Sequence, residues 1–176
     1  MLEITWPATH PGLRPGHGYA LFSALSRAGM VAHGEPGVQI AEILDSLTIR
    51  IADPAKAGAM FYSGLDRLDV GGVAVSLGTP SIRPLRSSPD LRARLVIIKN
   101  ATCDQSFRAS ALKQLGLIGV SAAPHVERRG VLHVAGKRVV GYGVSFHGLS
   151  DADSLRIQEH GLGGKQRMGC GVFRSC

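Results

Sequence analysis

The sequence lacks long apolar runs and a leader pattern, and it contains few cysteines. Its apolar stretches, such as residues 95–98, are far shorter than the ~20 residues that a membrane-spanning helix needs. Residues 1–6 contain an acid but no basic segment, which argues against a signal peptide. The three cysteines are odd in number and lack metal-ligand spacing, which favours a reducing compartment. We therefore expect a cytoplasmic protein.

Positive charge is unevenly distributed along the chain, whose formal net charge is +7. Residues 1–88 contain seven Lys/Arg and seven Asp/Glu, whereas residues 89–176 contain thirteen and six. The whole excess therefore lies in the second half, where it favours a phosphate-bearing partner, with nucleic acid as the first choice. A basic surface that only maintains solubility is the alternative.

The first half of the sequence predicts the order β-α-β-β-α-β. Apolar residues at helical spacing indicate the first helix, and Asp53 followed by Pro54 indicates the start of the second. Gly64 follows that helix, where an end signal is expected. The predicted strands are residues 2–6, 39–44, 47–52 and 73–77, and the predicted helices are residues 19–31 and 54–63.

The second half repeats this order after a linker at residues 78–89, whose three prolines and three serines resist helix and sheet. Asp104 is expected to cap one helix, and Ser150 with Asp153 predicts a capping box for the other. Gly136-Lys137 is the expected hairpin turn. The predicted strands are residues 94–99, 130–135, 138–146 and 171–174, and the predicted helices are residues 104–116 and 150–161.

Two β-α-β-β-α-β units predict an α+β protein with a tandem ferredoxin-like fold. The predicted domains are residues 1–80 and residues 90–176. RRM-type RNA-binding domains share this topology, and residues 141–146 (GYGVSF) partly resemble their aromatic strand motif. We interpret these six residues as an ordinary core strand with small side chains.

Five glycines occupy eleven positions near the end of the sequence, from residue 161 to residue 171. A backbone without Cβ atoms, bracketed by Lys165 and Arg167, can bring its N–H groups against a phosphate. A Walker loop needs Ser or Thr where Gln166 stands, and a Rossmann fingerprint needs a following helix and a later acid. The pattern Q-x-x-G-x-G resembles the pyrophosphate loop of acetyltransferases, but that loop also leads into a helix, for which we expect no room. A polyanion-binding loop and a flexible tail remain as interpretations.

The run DSLRIQEHGLGGKQRMGCGVF (residues 153–173) resembles the C-terminus of CRISPR-associated repeat-RNA-processing endoribonucleases. These enzymes form the sixth Cas family of the RAMP superfamily, and the resemblance is greatest to their myxan-type branch. The runs HGYALFSALSR (residues 17–27) and LRARLVIIK (residues 91–99) support it, so that it extends over essentially the whole chain.

The resemblance implies a CRISPR repeat RNA as the partner and metal-independent cleavage of that RNA without a cofactor. A ribose 2′-hydroxyl would attack the adjacent phosphate and leave a 2′,3′-cyclic phosphate and a 5′-hydroxyl. The sequence contains no cluster of carboxylates at metal-ligand spacing, in agreement with this chemistry. The resemblance also implies that the mature guide RNA (crRNA) stays bound and that the protein joins other Cas subunits in a surveillance complex.

This reaction needs a base, an acid and positive charge, and histidine suits acid–base work because its unperturbed pKa is about 6.5. The resemblance places catalytic histidines around the first helix. It implies His33 as the general acid and His17 as the base or as the group that orients the 2′-hydroxyl, with Tyr19 as a polar helper. Without the family, each histidine reads as a structural or surface residue.

Three groups of residues are expected to bind RNA. In the glycine-rich loop, Lys165 and Arg167 are expected to meet phosphates while the glycine N–H groups fix their approach. The hairpin cations would grip the backbone or groove of a stem-loop, and solvated turn charges are the alternative. The groups are the loop (Gly161, Gly163, Gly164, Lys165, Gln166, Arg167, Gly169, Gly171), the hairpin (Arg128, Arg129, Lys137, Arg138) and the domain junction (Arg92, Arg94).

Two other functions compete with the endoribonuclease. A non-catalytic RAMP subunit that holds a guide RNA would have the same fold and charge. A wild-type protein that binds a repeat hairpin tightly but never cuts it would be such a subunit, whereas cleavage that is unchanged with EDTA present after His17 and His33 are replaced by alanine would refute only the assignment of these histidines. An enzyme that uses acetyl-coenzyme A would bind that cofactor, and we expect no such binding.

Overall fold

The computed structural model describes residues 1–101 and 103–176, and it divides into two compact units. Unit 1 comprises Met1–Leu85 together with Arg167–Gly169, and unit 2 comprises Arg86–Gln166 together with Cys170–Cys176. The sequence prediction assigned the whole glycine-rich segment to the second domain, whereas three of its residues cluster with the first unit. Within the described residues, no helix has the length and apolar character needed to cross a membrane.

The described residues of unit 1 form six strands and two helices. The helix α1 is amphipathic because Leu21, Phe22 and Leu25 fall on one face and are buried. The helix α2 begins as predicted, with Asp53 accepting a hydrogen bond from Ala55 N–H ahead of a proline in the first turn. The elements are β1 (Leu2–Thr9), α1 (Gly18–Arg27), β2 (Val38–Ala41), β3 (Ser46–Ile51), α2 (Pro54–Phe61), β4 (Arg67–Val70), β5 (Val73–Leu77) and β6 (Ser81–Pro84).

The sheet of unit 1 has the order β2-β3-β1-β5-β4, and β6 also pairs with β1. This is the ferredoxin-like arrangement, with the hairpin of β4 and β5 in the place of a single fourth strand. The strand β4 was not predicted from the sequence. Fully buried side chains of the sheet and α1 form the core: Ile4, Trp6, Leu21, Leu25, Leu47 and Ile49.

The prediction of a structureless linker at residues 78–89 is wrong in part, because β6 lies within it and pairs antiparallel with β1. Proline is tolerated at the end of such a strand, where β6 places Pro84. Glu3 of β1 accepts hydrogen bonds from Arg83 of β6 at 2.8 Å and from buried Arg50 of β3 at 3.0 Å. Burial alone would raise the pKa of Glu3, but these two arginines outweigh it and lower that pKa.

Unit 2 has the predicted order β-α-β-β-α-β, and its sheet has the order β10-β7-β9-β8, which is the ferredoxin-like order. Its core contains the aromatic side chains of Phe107, Phe146 and Phe173, each fully buried. The last predicted strand shrinks to two residues. The elements are β7 (Leu91–Val96), α3 (Asp104–Leu117), β8 (His125–Val134), β9 (Lys137–Phe146), α4 (Asp151–His160) and β10 (Arg174–Ser175).

Two local predictions in unit 2 are corrected by the structure. The hairpin turn is Ala135-Gly136 rather than Gly136-Lys137, and both turn residues have positive φ, which matches the twist of the strands. The cap of α3 is Cys103 rather than Asp104, which lies in the first turn and binds Arg108 at 2.8 Å.

Two other predictions in unit 2 agree with the structure. The hydroxyl of Ser150 caps α4 by accepting a hydrogen bond from Asp153 N–H. The run GYGVSF is buried at every position, and Tyr142 packs against Phe107 with ring centroids 4.7 Å apart. These six residues therefore form a core strand.

We expect Gly171→Ala to lower the free energy of unfolding by about 2–4 kcal/mol. Gly171 has a φ of +65°, and a Cβ at this position would overlap the carbonyl oxygen of Leu162. Gly164→Ala is the matched control, because a Cβ there would meet no atom within 4 Å. Its effect should stay within about 0.5 kcal/mol in the same urea titration. Equal effects of the two variants would contradict the packing described here.

Candidate active site

His33 lies on an exposed turn after α1. Gly29, with a φ of +70°, follows the end of the helix, and the buried side chains of Met30 and Val31 anchor the chain before the turn. The imidazole of His33 packs against the ring of Phe22, with ring centroids 5.7 Å apart and an interplanar angle of 49°. The turn thus presents an imidazole to solvent with one side held by an aromatic ring.

Glu35 stabilises this turn through its carboxylate. Its carboxylate accepts a hydrogen bond from the backbone N–H of Ala32 at 2.8 Å and an ion-paired one from Lys56 of α2. The Ala32 N–H, and after it the Lys56 ammonium, hold the pKa of Glu35 below its usual range. The turn that carries His33 is therefore fixed by a carboxylate that stays ionised at neutral pH.

Arg167 donates hydrogen bonds to two backbone carbonyl groups of the same turn. Its Nη1 donates to the carbonyl oxygen of Ala32 at 3.3 Å and to that of Glu35 at 3.1 Å. Its guanidinium carbon lies 5.9 Å from the centre of the Phe22 ring. The sequence predicted a phosphate contact for this side chain, whereas the structure places it on the protein backbone.

A shallow pocket of about 420 Å³ lies beside His33. Tyr19, one turn before Phe22 on α1, is 37% exposed and is one of the lining residues. Phenol, hydroxyl and imidazole groups on one rim can donate and accept protons around a bound polar group. The lining consists of Tyr19, Phe22, Ser23, Ser26, Arg27, His33 and Met168.

His17 lies at the start of α1, and it is not among the described residues that line this pocket. Its Nε2 accepts a hydrogen bond from the backbone N–H of Ile43 at 3.0 Å, so Nδ1 carries the ring proton and donates to the carbonyl oxygen of Arg14 at 3.0 Å. Both nitrogens are thereby engaged with backbone. The structure brings together His33 and Tyr19, while His17 fixes the beginning of the helix.

Four of the five glycine N–H groups in the glycine-rich segment donate hydrogen bonds to the protein. Gly161 donates to the carbonyl of Ile157, Gly163 to the side chain of Gln114, Gly164 to the carbonyl of Ile97, and Gly171 to that of Leu95. These four donors are not available to the phosphate for which the sequence proposed them.

Close packing explains four of the five glycines of this segment instead, and Gly164 is the exception. A Cβ at Gly163 would overlap the carbonyl of Ile97, and a Cβ at Gly169 would lie 2.8 Å from Cγ of Glu42. Gln166, also proposed for RNA, donates to the carbonyl of His160 at 2.7 Å and so caps the end of α4. Lys165, by contrast, is exposed.

The predicted hairpin cations lie on β8 and β9 and are all exposed: Arg128, Arg129, Lys137 and Arg138. His133 faces Arg138 across the hairpin, next to the turn. A two-stranded ribbon with this charge suits the grooves or backbone of a nucleic acid.

The two arginines proposed at the domain junction lie on β7, where both are exposed. Arg92 donates to both carboxylate oxygens of Glu127, with the shortest distance 2.6 Å, and thereby lowers the pKa of Glu127. The guanidinium of Arg92, which the sequence analysis assigned to RNA binding, is therefore already paired with a carboxylate in a bidentate arrangement. In the described part of the chain, no group of three or more His, Cys, Asp or Glu side chains is arranged to hold a metal ion.

Sequence reasoning missed Phe22, Glu35, Lys56 and Met168 as parts of this site. Phe22 was expected only as a core residue of the helix, although its spacing of three from Tyr19 places both on one face. Nothing in the local sequence links Lys56 or Met168 to His33, because these contacts arise only on folding.

A family model described as Cas6 Crispr matches residues 44–176. The chain is also 38% identical over 184 positions to the CRISPR-associated endonuclease Cas6 of Myxococcus xanthus (strain DK1622), with 98% of this chain and 80% of that protein covered. These two matches confirm the resemblance that the residues suggested.

Solved structures with the same fold include three proteins at low sequence identity. The product of a Cas6-related gene from Pyrococcus furiosus has a TM-score of 0.64 at 13% identity, covering 98% of this chain and 97% of that one. A RAMP protein described as binding different RNA substrates has a TM-score of 0.69 at 11% identity, covering 99% of both chains. Thermus thermophilus Cse3, bound to an RNA that represents a pre-cleavage complex, has a TM-score of 0.59 at 15% identity, covering 98% of both. The predicted tandem ferredoxin-like fold is thereby confirmed.

We expect Glu35→Ala to lower the free energy of unfolding at pH 7 by about 1–2 kcal/mol, because a charged acceptor of a backbone N–H is lost. A carboxyl with a lowered folded-state pKa stabilises the fold above its unfolded-state pKa of about 4.3. That stabilisation disappears as the pH falls through the lower, folded-state pKa. The difference between wild type and variant should therefore be constant from pH 7 to about pH 5 and shrink below about pH 4.

Chemical denaturation over this pH range measures the difference. Asp66→Ala removes an exposed carboxylate of the same unit and is the matched control. A difference between wild type and Glu35→Ala that stays constant down to pH 3 would contradict an ionised Glu35 in the turn.

Proposed function

The chain belongs to the Cas6 family of CRISPR-associated endonucleases, and from this premise we propose that it cleaves CRISPR repeat RNA at the pocket beside His33. Precursor crRNA would be its substrate, and guide RNA would be its product. The observation that carries the proposal is the exposed imidazole of His33 on a fixed turn, in a pocket that Tyr19 also lines.

The chemistry that fits this pocket is transesterification within the RNA chain. The 2′-oxygen of a ribose bonds to the adjacent phosphorus, and the bond from that phosphorus to the 5′-oxygen breaks. The proton of the 2′-hydroxyl goes to a water molecule, and the leaving 5′-oxygen receives a proton from an acid, His33. The products are a 2′,3′-cyclic phosphate and a 5′-hydroxyl, and no metal ion is needed to balance the reaction.

His33 is the proposed general acid. Its ring is exposed and touches protein on the side of Phe22, so it can meet a phosphate at the pocket rim. Tyr19 is the proposed partner of the 2′-hydroxyl, which its phenol can orient by a hydrogen bond.

His17 has a different role in this proposal from the one that the sequence suggested. A neutral imidazole with one nitrogen accepting from Ile43 and the other donating to Arg14 offers neither a lone pair nor a proton to RNA. We propose that His17 positions the start of α1, and through it Tyr19.

Binding of the repeat is assigned to the exposed cations of the β8–β9 hairpin and to Lys165. Their positive charge would contact the phosphate backbone of a stem-loop. A cytoplasmic location is part of this proposal, and two exposed thiols, Cys103 and Cys176, are in keeping with a reducing compartment. Association with other Cas subunits in a surveillance complex is also part of it.

We expect His33→Ala to lower the single-turnover cleavage rate at saturating enzyme by about 100-fold or more, since general acid catalysis contributes about 10²–10⁴. The dissociation constant for the repeat RNA should change little. Incubation with CRISPR repeat RNA in the presence of EDTA measures the rate, and end-group analysis of the products identifies the chemistry.

The control for this experiment is His147→Ala, which removes another exposed histidine, one that lies in unit 2 and pairs with Asp90. Equal cleavage by wild type and His33→Ala would overturn the assignment of the acid. Tight binding by the wild type without cleavage would instead identify a guide-RNA-holding subunit.

We expect the double variant Lys137→Gln/Arg138→Gln to weaken RNA binding about tenfold and to reduce the salt dependence of log Kd by about 1–2, as expected when phosphate contacts are removed. Filter binding at several salt concentrations measures both quantities. Lys113→Gln/Arg108→Gln removes two exposed charges from α3 and is the matched control. An unchanged salt slope in the hairpin variant would show that these cations are solvated turn charges.

A further inference from the structure

The tripeptide Arg167–Gly169 clusters with unit 1, although the residues on both sides of it belong to unit 2. Gly18, in the first turn of α1, permits this placement, because a Cβ there would overlap the carbonyl oxygen of Met168. Met168 also lines the pocket beside His33. The tripeptide therefore has a fixed position against α1, within the candidate active site.

The guanidinium of Arg167 is engaged by the turn that carries His33. One nitrogen, Nη1, donates to the carbonyls of Ala32 and Glu35, which flank His33 and Gly34 in the chain. The guanidinium also lies over Phe22, the ring against which His33 packs. Arg167 and His33 thus share an aromatic neighbour, and Arg167 also fixes the backbone on both sides of the imidazole.

The same turn is held from its N–H side by the carboxylate of Glu35. One peptide unit on each side of His33 is thus hydrogen-bonded to a charged side chain, and charged hydrogen bonds are the stronger class. An exposed turn of this kind would otherwise sample several conformations, and a catalytic group loses effect when its position varies by about 1 Å.

We propose that Arg167 is a positioning residue, which acts on cleavage by fixing the turn of His33, and not by binding an RNA phosphate. This inference rests on the proposed role of His33 as the general acid. It reassigns the arginine of the glycine-rich segment from substrate binding to the organisation of the active site.

The decisive measurement separates the single-turnover cleavage rate at saturating enzyme from the dissociation constant of the RNA. Arg167→Gln should lower the rate about 10–100-fold, which is the effect expected from a misplaced catalytic group. The dissociation constant and its salt slope should stay within about threefold of wild type. Arg167→Lys, which retains a cationic donor for the two carbonyls, should restore most of the rate.

A double-mutant cycle with His33→Ala tests whether Arg167 acts through His33. In the His33→Ala background, Arg167→Gln should produce little further loss of rate, because there is no imidazole left to position. Arg67→Gln, which removes an exposed charge of β4 in the same unit, is the control for a general charge effect and should leave rate and affinity unchanged.

The outcomes distinguish this inference from the proposed function. An unchanged rate in His33→Ala itself refutes the role of His33. A second outcome refutes the inference while His33→Ala is slow. In it, Arg167→Gln keeps the saturated rate but raises the dissociation constant at least tenfold and lowers the salt slope by about one. Arg167 would then bind phosphate.

Equal losses of rate from Arg167→Gln in the wild-type and His33→Ala backgrounds also refute the inference. If Arg167→Gln does not fold, Glu35→Gln perturbs the same turn from its other side. It should lower the saturated rate without changing affinity, and an unaltered rate there contradicts the inference.

Discussion

The close approach of backbone segments that only glycine permits is the constraint on which the candidate site depends. Gly18 lets the first turn of α1 contact the carbonyl of Met168. In unit 2, Gly163 lets the glycine-rich segment contact the carbonyl of Ile97, which directly follows β7. A Cβ at either position would overlap a backbone oxygen, which cannot move as a flexible side chain can. Without the contact at Gly18, Arg167 would not be held where it reaches the turn of His33.

The site is therefore assembled from parts that are distant in sequence but local in unit 1. Arg167 is 135 residues from Ala32 and 132 from Glu35 in the chain, yet it donates to both carbonyls. Glu35 in turn binds Lys56 of α2. The position of the imidazole therefore depends on α2 and on the segment that carries Arg167, as well as on the turn itself. Such a network explains how an exposed loop can carry a catalytic group with a defined position.

Local signals predicted the fold well, and tertiary contacts limited the prediction of the site. Ser150 as a cap and Asp53 followed by proline depend on residues within one turn, so the sequence alone specified both helix starts. The strand β6 was missed because Pro80 before it and Pro84 at its end disfavour a strand. Its pairing with β1 and the contact of Arg83 with Glu3 arise only in the folded sheet. For the same reason, the two backbone partners of His17 were invisible in the sequence.

The distribution of charge leads to a further step. The basic excess of the second half suggested that its arginines face RNA. Several of them instead form ion pairs or hydrogen bonds within the protein. These are Arg92 with Glu127, Arg108 with Asp104, Arg156 with Asp153 and the carbonyl of Gly119, and Arg167 with two carbonyls. Charge that is neutralised or hydrogen-bonded in this way adds less to the attraction of a polyanion than exposed charge does. We therefore propose that much of the attraction comes from the exposed cations of the β8–β9 hairpin and from Lys165. In the proposed function, the residues that attract RNA are therefore different from the residue that performs the chemistry, His33. Binding and cleavage should consequently separate in the variants.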